Sequence, residues 1–242
     1  RRTDFITKMD NLTQALAMCL VEYSKNNSVR RLPWPAPLDF AGDDYKEDVN
    51  YTDGSILYAG RFPYQIDDSN AVIGVAGDIL LDRTECQSLT LDDGTVVTFA
   101  ANDEYRKLWE NWKDHFYYAL SEVYEPVPAP APITECNTVV NDCITVDPYP
   151  YTATPIARAG IVFYSSSRRP GQSRNAPPPI GDVDDKAVIS NYLENNNDAV
   201  FNAAIGTEAD YYQSTDPDNS NDYMWCITNE AIANDLQAVK CY

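Results

Sequence analysis

Phe5, Met9, Leu12, Leu16, Cys19, Leu20 and Tyr23 recur at steps of three and four. That spacing puts seven apolar side chains on one face of an α-helix. Asp4, Lys8, Asp10, Asn11, Gln14 and Glu22 fall on the other, polar face. A helix so patterned must find a sheet or other helices to cover its stripe. It is predicted to end near Asn26-Asn27-Ser28, before Arg31-Leu32-Pro33-Trp34-Pro35-Ala36-Pro37. Three prolines there remove backbone donors and push their neighbours out of helical geometry. The chain enters this helix directly from Arg1-Arg2, so the pattern reads as the second half of a longer helix.

Charge narrows the range of partners. Thirty-seven acidic against 18 basic residues give a net charge of −19 over 242 residues. Such a surface repels nucleic acid and anionic lipid, and its plain reading is a solvated acidic exterior. A hydrophobic content of 44% fits a folded core, in one large domain or two small ones. No window approaches the ~20 apolar residues of a membrane span, and no signal-peptide pattern precedes the helix. A chain trimmed at its start would show neither.

The six cysteines are Cys19, Cys86, Cys136, Cys143, Cys226 and Cys241. None forms a Cys-x-x-Cys pair, and the one histidine, His115, cannot complete a zinc site of ordinary spacing. Disulfides and an oxidising compartment follow. Cys226–Cys241 and Cys136–Cys143 suit short loops, which leaves Cys19–Cys86 to staple the helix to the body. The alternative for Cys19 is a buried free thiol within the stripe.

Along the chain, residues 55–66 read as extended. Residues 71–81 are a short apolar run, strand or helix fragment. Asp92-Asp93-Gly94 marks a hairpin between Leu89-Thr90-Leu91 and Val96-Val97-Thr98-Phe99. A helix is expected over 103–114, a core strand over 116–120 and a central strand within 157–165. The proline run near 126–134 is a linker or a stiff loop. A helix is predicted over 187–195, a strand over 223–228 and a last helix over 229–239.

The chemistry-bearing motifs are sparse. No Gly-x-Ser-x-Gly elbow, phosphate-cradling Gly-x-x-x-x-Gly-Lys or dinucleotide fingerprint occurs. With His115 as the sole imidazole, no catalytic residue is assigned and the chain is read as a non-enzyme. Asp216, Asp218, Ser220 and Asp222 alternate in one loop and could turn oxygen ligands toward a calcium ion. Asn221 stands where an EF-hand loop needs glycine, and an Asx-rich turn is the other reading. Arg168, Arg169 and Arg174 form a basic island in an acidic chain. They would face an acidic patch on a neighbouring subunit, or water.

Several segments in order resemble the soluble domain of type IV pilin-like proteins and type II secretion pseudopilins. These are Met9-Asp10-Asn11-Leu12-Thr13-Gln14-Ala15-Leu16, Arg31-Leu32-Pro33-Trp34-Pro35, Tyr58-Ala59-Gly60-Arg61-Phe62-Pro63 and the aromatic stretch from Trp112 to Ala119. Ile189 to Glu194 and Asn221 to Trp225 are similar to the family's C-terminal part. The resemblance implies an α+β fold with a long N-terminal helix on a mainly antiparallel sheet. Residues 1–28 would be the soluble half of a spine helix and 29–242 a globular head. It implies a structural subunit of an extracellular or periplasmic filament, in which Phe5, Met9, Leu12, Leu16, Leu20 and Tyr23 form the packing seam. The partners would be copies of itself or other pilins. The full-length form would be anchored in the inner membrane before assembly. Calcium in the C-terminal loop fits some relatives of this kind. The rival reading is a secreted carbohydrate-binding module or a glycosidase working through carboxylates alone.

Overall fold

The computed structural model describes residues 2–26, 31–38, 58–66, 78–126, 143–151, 154–166, 192–193, 197, 201, 211–213, 222–230 and 235–241. Helix α1 (Arg2–Asn26) is the 25-residue helix that the apolar spacing predicts. Strands β1 (Ala59–Arg61), β2 (Gln65–Ile66), β3 (Asp78–Ile79), β4 (Ser88–Thr90) and β5 (Val96–Thr98) follow. Then come α2 (Glu104–Trp112), β6 (Phe116–Leu120), β7 (Ile144–Asp147), β8 (Ile156–Arg158) and β9 (Gly160–Ser165). Strands β10 (Tyr211–Gln213), β11 (Asp222–Glu230) and β12 (Asp235–Lys240) complete the order.

The main sheet has five antiparallel strands in the order β1-β6-β9-β11-β12. Its strands alternate sides, as the period of two requires. Phe116, Tyr118, Leu120, Val162, Tyr164, Trp225 and Ile227 join the core beneath α1. Tyr117, Ala119, Ile161, Phe163, Met224 and Cys226 pack on the opposite side. There they meet Ile144 and Val146 of β7 and Tyr212 of β10, from a second sheet ordered β10-β7-β8. Both faces of the main sheet are covered, which is why its strands read as aromatic and aliphatic runs without polar alternation.

Helix α1 lies between layers. On one side it touches β9, β11 and β12; on the other it touches α2, β4, β5 and a 3-10 turn at Thr84–Cys86. Between residues 12 and 24, all but Met18 and Glu22 are buried. Gln14, expected on the solvated face, is therefore inside, and its Nε2 has no hydrogen-bond partner among the described residues. Thr13 and Ser24 are buried with it, their hydroxyls donating to the carbonyls of Met9 (2.7 Å) and Val21 (2.6 Å). Burial extends beyond the apolar stripe because α1 is covered from two sides, by the main sheet and by residues 78–112.

Cys19–Cys86 joins α1 to the 3-10 turn, and Cys226–Cys241 closes the β11–β12 hairpin. Cys143 is also disulfide-bonded, and Cys136 lies outside the described residues. These bonds indicate an oxidising environment, extracellular or periplasmic. No helix among the described residues is long and apolar enough to cross a membrane.

Most of the expected elements form. The hairpin over 89–98 is β4–β5, turned at Asp93-Gly94 with Gly94 at φ 85°, a conformation open to glycine at no steric cost. The expected helix over 103–114 is α2, and the strands over 116–120, 157–165 and 223–228 are β6, β8–β9 and β11. The helix expected over 229–239 is a correction: β12 runs there and pairs with β11 from Trp225–Lys240 to Glu230–Asp235. The edge of β11 and the Cys226–Cys241 link reward pairing more than Leu, Gln and Ala reward helix. Of the helix expected over 187–195, Tyr192 and Leu193 are described; both are buried and neither is helical. Within the run 71–81, β3 leads into a 3-10 turn at Leu80–Asp82; 71–77 lie outside the described residues.

Candidate assembly surface

The first turns of α1 leave the core. Arg2, Thr3, Asp4 and Thr7 are exposed, and Phe5, Ile6 and Lys8 half-buried. Two sets of contacts hold this end in place. From α2, the ring of Trp112 lies 5.2 Å from that of Phe5. Lys8 Nζ donates to Glu104 Oε1 at 2.6 Å and reaches Asp4 at 3.4 Å. The Glu104 hydrogen bond, with Asp4 nearby, holds the Lys8 ammonium above its ordinary range. From the sheet, Trp225 Nε1 donates to Asp10 Oδ1 at 2.8 Å, and Lys240 reaches Asp10 Oδ2 at 3.2 Å. The Lys240 ammonium also sits over the Trp225 ring, 5.5 Å from its centroid. The helix is thus gripped on both sides at Asp10 and Lys8, while Thr3 and Thr7 face outward.

Behind α2 lies a charged hub. Arg106 is buried; its guanidinium meets Asp82 Oδ1 at 2.5 Å and Glu110 Oε1 at 3.1 Å. Burial works against the charge, yet these carboxylates outweigh it and Arg106 is held above its usual range. Tyr64 donates its hydroxyl to the same Glu110 oxygen at 3.0 Å. Burial first, and the Glu110 charge second, push the Tyr64 phenol from 10.0 up to about 12. Tyr64 also stacks on Trp109, which fits edge-on against Phe62. The hub fixes α2, and α2 fixes the start of α1.

That phenol makes an alkaline prediction. Below pH 10 Tyr64 is protonated in both folded and unfolded chains, and its contribution is intact. Between pH 10 and about 12 the unfolded chain loses this proton first, so stability falls by about 2 kcal/mol. Urea unfolding at pH 9.5 and 11.5 is expected to show a loss smaller by about that amount in Tyr64→Phe than in the natural chain. The buried Tyr118 phenol, also raised well above its ordinary range, adds its loss equally to both. Equal losses in the two proteins would show that Tyr64 is not the group responsible.

The expected seam residues are placed as follows. Met9, Leu12, Leu16 and Leu20 are 0% exposed and Tyr23 6%, all inside this chain's own core; Phe5 is half-buried against Trp112. The stripe is filled from within, by the main sheet and by the layer of residues 78–112. Asp216, Asp218 and Ser220 of the calcium set, and Arg168, Arg169 and Arg174, lie outside the described residues; Asp222 opens β11, paired with Ser165. Among the described residues no cluster of His, Cys, Asp and Glu is placed to hold a metal ion. His115 donates Nδ1–H to the Ser165 carbonyl at 2.8 Å and packs against Trp112 and Tyr192. Nothing in the local sequence marks Asp10, Glu104, Trp225 or Lys240 as a group. Trp225 and Lys240 reach Asp10 across 215 and 230 residues, which no local pattern reports.

No family model matches the chain, and no curated protein or solved structure shows significant similarity to it.

Proposed function

We propose that this chain is a structural subunit of an extracellular or periplasmic filament of the type IV pilin and pseudopilin kind. One observation carries the reading: a 25-residue helix is enclosed by two layers along its rear half and exposed along its first turns. At ~1.5 Å rise per residue, such a helix is a rod of roughly 38 Å. A head that holds one end of a rod rigidly suits repeated head-to-tail packing, which generates open filaments when the rotation does not close. Disulfides tie that rod and the sheet edge against conditions outside the cytosol. Because the stripe from Met9 to Tyr23 is filled internally, contact between copies falls to the outward face at Arg2, Thr3, Asp4 and Thr7.

The test is made on cells that produce the protein. Filaments sheared from them and labelled with antibody to this chain are expected to bind it along their length. Thr7→Glu is expected to reduce the chain in the fibre fraction at least tenfold with its melting temperature unchanged. Recovery of the chain only as free protein, with no labelled fibre, overturns the reading. Calcium held by Asp216, Asp218, Ser220 and Asp222 belongs to the same proposal. EDTA is then expected to lower the melting temperature by several degrees and excess Ca²⁺ to restore it. A melting curve indifferent to both removes calcium and leaves the filament reading standing.

A further inference from the structure

We propose that the β7–β8 hairpin carries a binding site for a neutral polysaccharide built of equatorially substituted pyranoses. Among the described residues, the large hydrophobic side chains exposed to water are Val96, Tyr149, Tyr151 and Ile156, and the last three share this hairpin. The rings of Tyr149 and Tyr151 stand 5.6 Å apart at 86°, forming a corner with ring faces on two sides. The turn is closed by Tyr151 N–H donating to the Pro148 carbonyl at 2.8 Å. Tyr151 has φ 65°, the one positive φ outside glycine among the described residues. A bulky residue is disfavoured there, so the fold holds this ring in place against its own backbone preference.

Charge and area select the ligand. The run from Pro148 to Ala157 has no side chain charged at neutral pH in a chain of net charge −19. An anionic polymer would be repelled by the rest of the surface, whereas a neutral glycan meets no such barrier. The weakly positive C–H bonds on one face of an equatorially substituted pyranose suit the negative face of an aromatic ring. Each tyrosine is 38% exposed and Ile156 42%. With ~200 Å² per tyrosine ring, the three side chains offer on the order of 250 Å². That is about a third of the ~800 Å² per partner that a stable protein interface buries. It matches one or two sugar units instead. The site is independent of whether the chain assembles into filaments.

The experiment titrates the purified chain with cellohexaose, hexa-N-acetylchitohexaose and xylohexaose, following tyrosine fluorescence and calorimetry. At least one is expected to bind with a Kd of about 0.1–1 mM. Tyr149→Ala and Tyr151→Gly are each expected to weaken it at least tenfold, while Tyr149→Phe stays within about threefold. Glycine suits the positive φ at 151, so that variant keeps the turn, and melting curves verify the fold of both. No binding of any of the three sugars at 10-fold the expected Kd overturns the proposal. So does binding that survives Tyr149→Ala and Tyr151→Gly combined, or a self-association that the combined variant abolishes, which would make the tip a protein contact.

Discussion

Replacing Cys19 and Cys86 together with alanine is expected to destabilise the chain by about 4 kcal/mol, measured as the shift in guanidinium unfolding. The bond closes a segment with a sequence separation of 67. Closing a loop of that size removes roughly 4 kcal/mol of conformational entropy from the unfolded chain. The folded chain loses something further. Cys19 and Cys86 are both 0% exposed, and they fasten α1 to the turn that leads into the β4–β5 hairpin. Without that bond, the layer over the outer side of α1 relies on Arg83 above the Tyr23 ring, the apolar contacts of Leu89, Val97 and Phe99, and the links from α2. The same substitution at Cys226 and Cys241 is expected to cost less. Their separation is 15, and β11 and β12 are already held in register by their own backbone ladder. A loss under 1 kcal/mol at Cys19–Cys86, or a larger loss at Cys226–Cys241, would show that this layer is held without the covalent link.

The contrast between these two disulfides also marks how far a sequence can be read. Local signals were sufficient where the structure is local. Asp93-Gly94 announces the β4–β5 turn, and Phe116-Tyr117-Tyr118-Ala119-Leu120 announces a strand buried on both faces. The stripe in α1 shows a helix that has to be covered by other elements. It does not show that Thr13, Gln14 and Ser24 are buried as well, because α1 is covered from two sides, one of them by residues 78–112, far along the chain. The C-terminal strand was hidden for a similar reason. Asp235-Leu236-Gln237-Ala238-Val239-Lys240 has no strong strand composition, and only the open edge of β11 makes it one. The grip on the exposed end of α1 was the least legible part. Asp10 looks like any solvated acid until Trp225 and Lys240 arrive from the sheet, and Glu104 has no special spacing until α2 is docked.

The Leu-Pro-rich segment after α1 depends on a single glycine. Gly60→Ala is expected to destabilise the chain by about 3 kcal/mol, in the range of substitutions that disturb a packed backbone. A Cβ at this position would fall inside van der Waals contact with the Ala36 carbonyl oxygen. It would also lie 3.0 Å from Pro35 Cβ and 3.1 Å from the Ala36 carbonyl carbon. Two of those obstacles are backbone atoms, which cannot rotate away. The approach is close because Ala36 and Arg61 exchange two backbone hydrogen bonds, of 2.8 and 2.6 Å, along the outer edge of β1. Pushing them apart gives up both, at about 1 kcal/mol each, and disturbs Arg61. That arginine is 0% exposed; its guanidinium donates to the carbonyls of Leu38 at 2.9 Å and Asp114 at 2.8 Å and lies over the Tyr117 ring. Because the side chain is buried away from bulk solvent, a carbonyl that moves away from it leaves a charged donor poorly satisfied. Gly94→Asn supplies the comparison. No atom lies within 4 Å of a Cβ built at Gly94, and asparagine tolerates its positive φ, so this change is expected to cost under 1 kcal/mol. Equal stabilities for Gly60→Ala and the natural chain would mean that residues 32–37 can leave the sheet edge without loss. The segment would then be a passive connection rather than a fixed addition to the edge of β1.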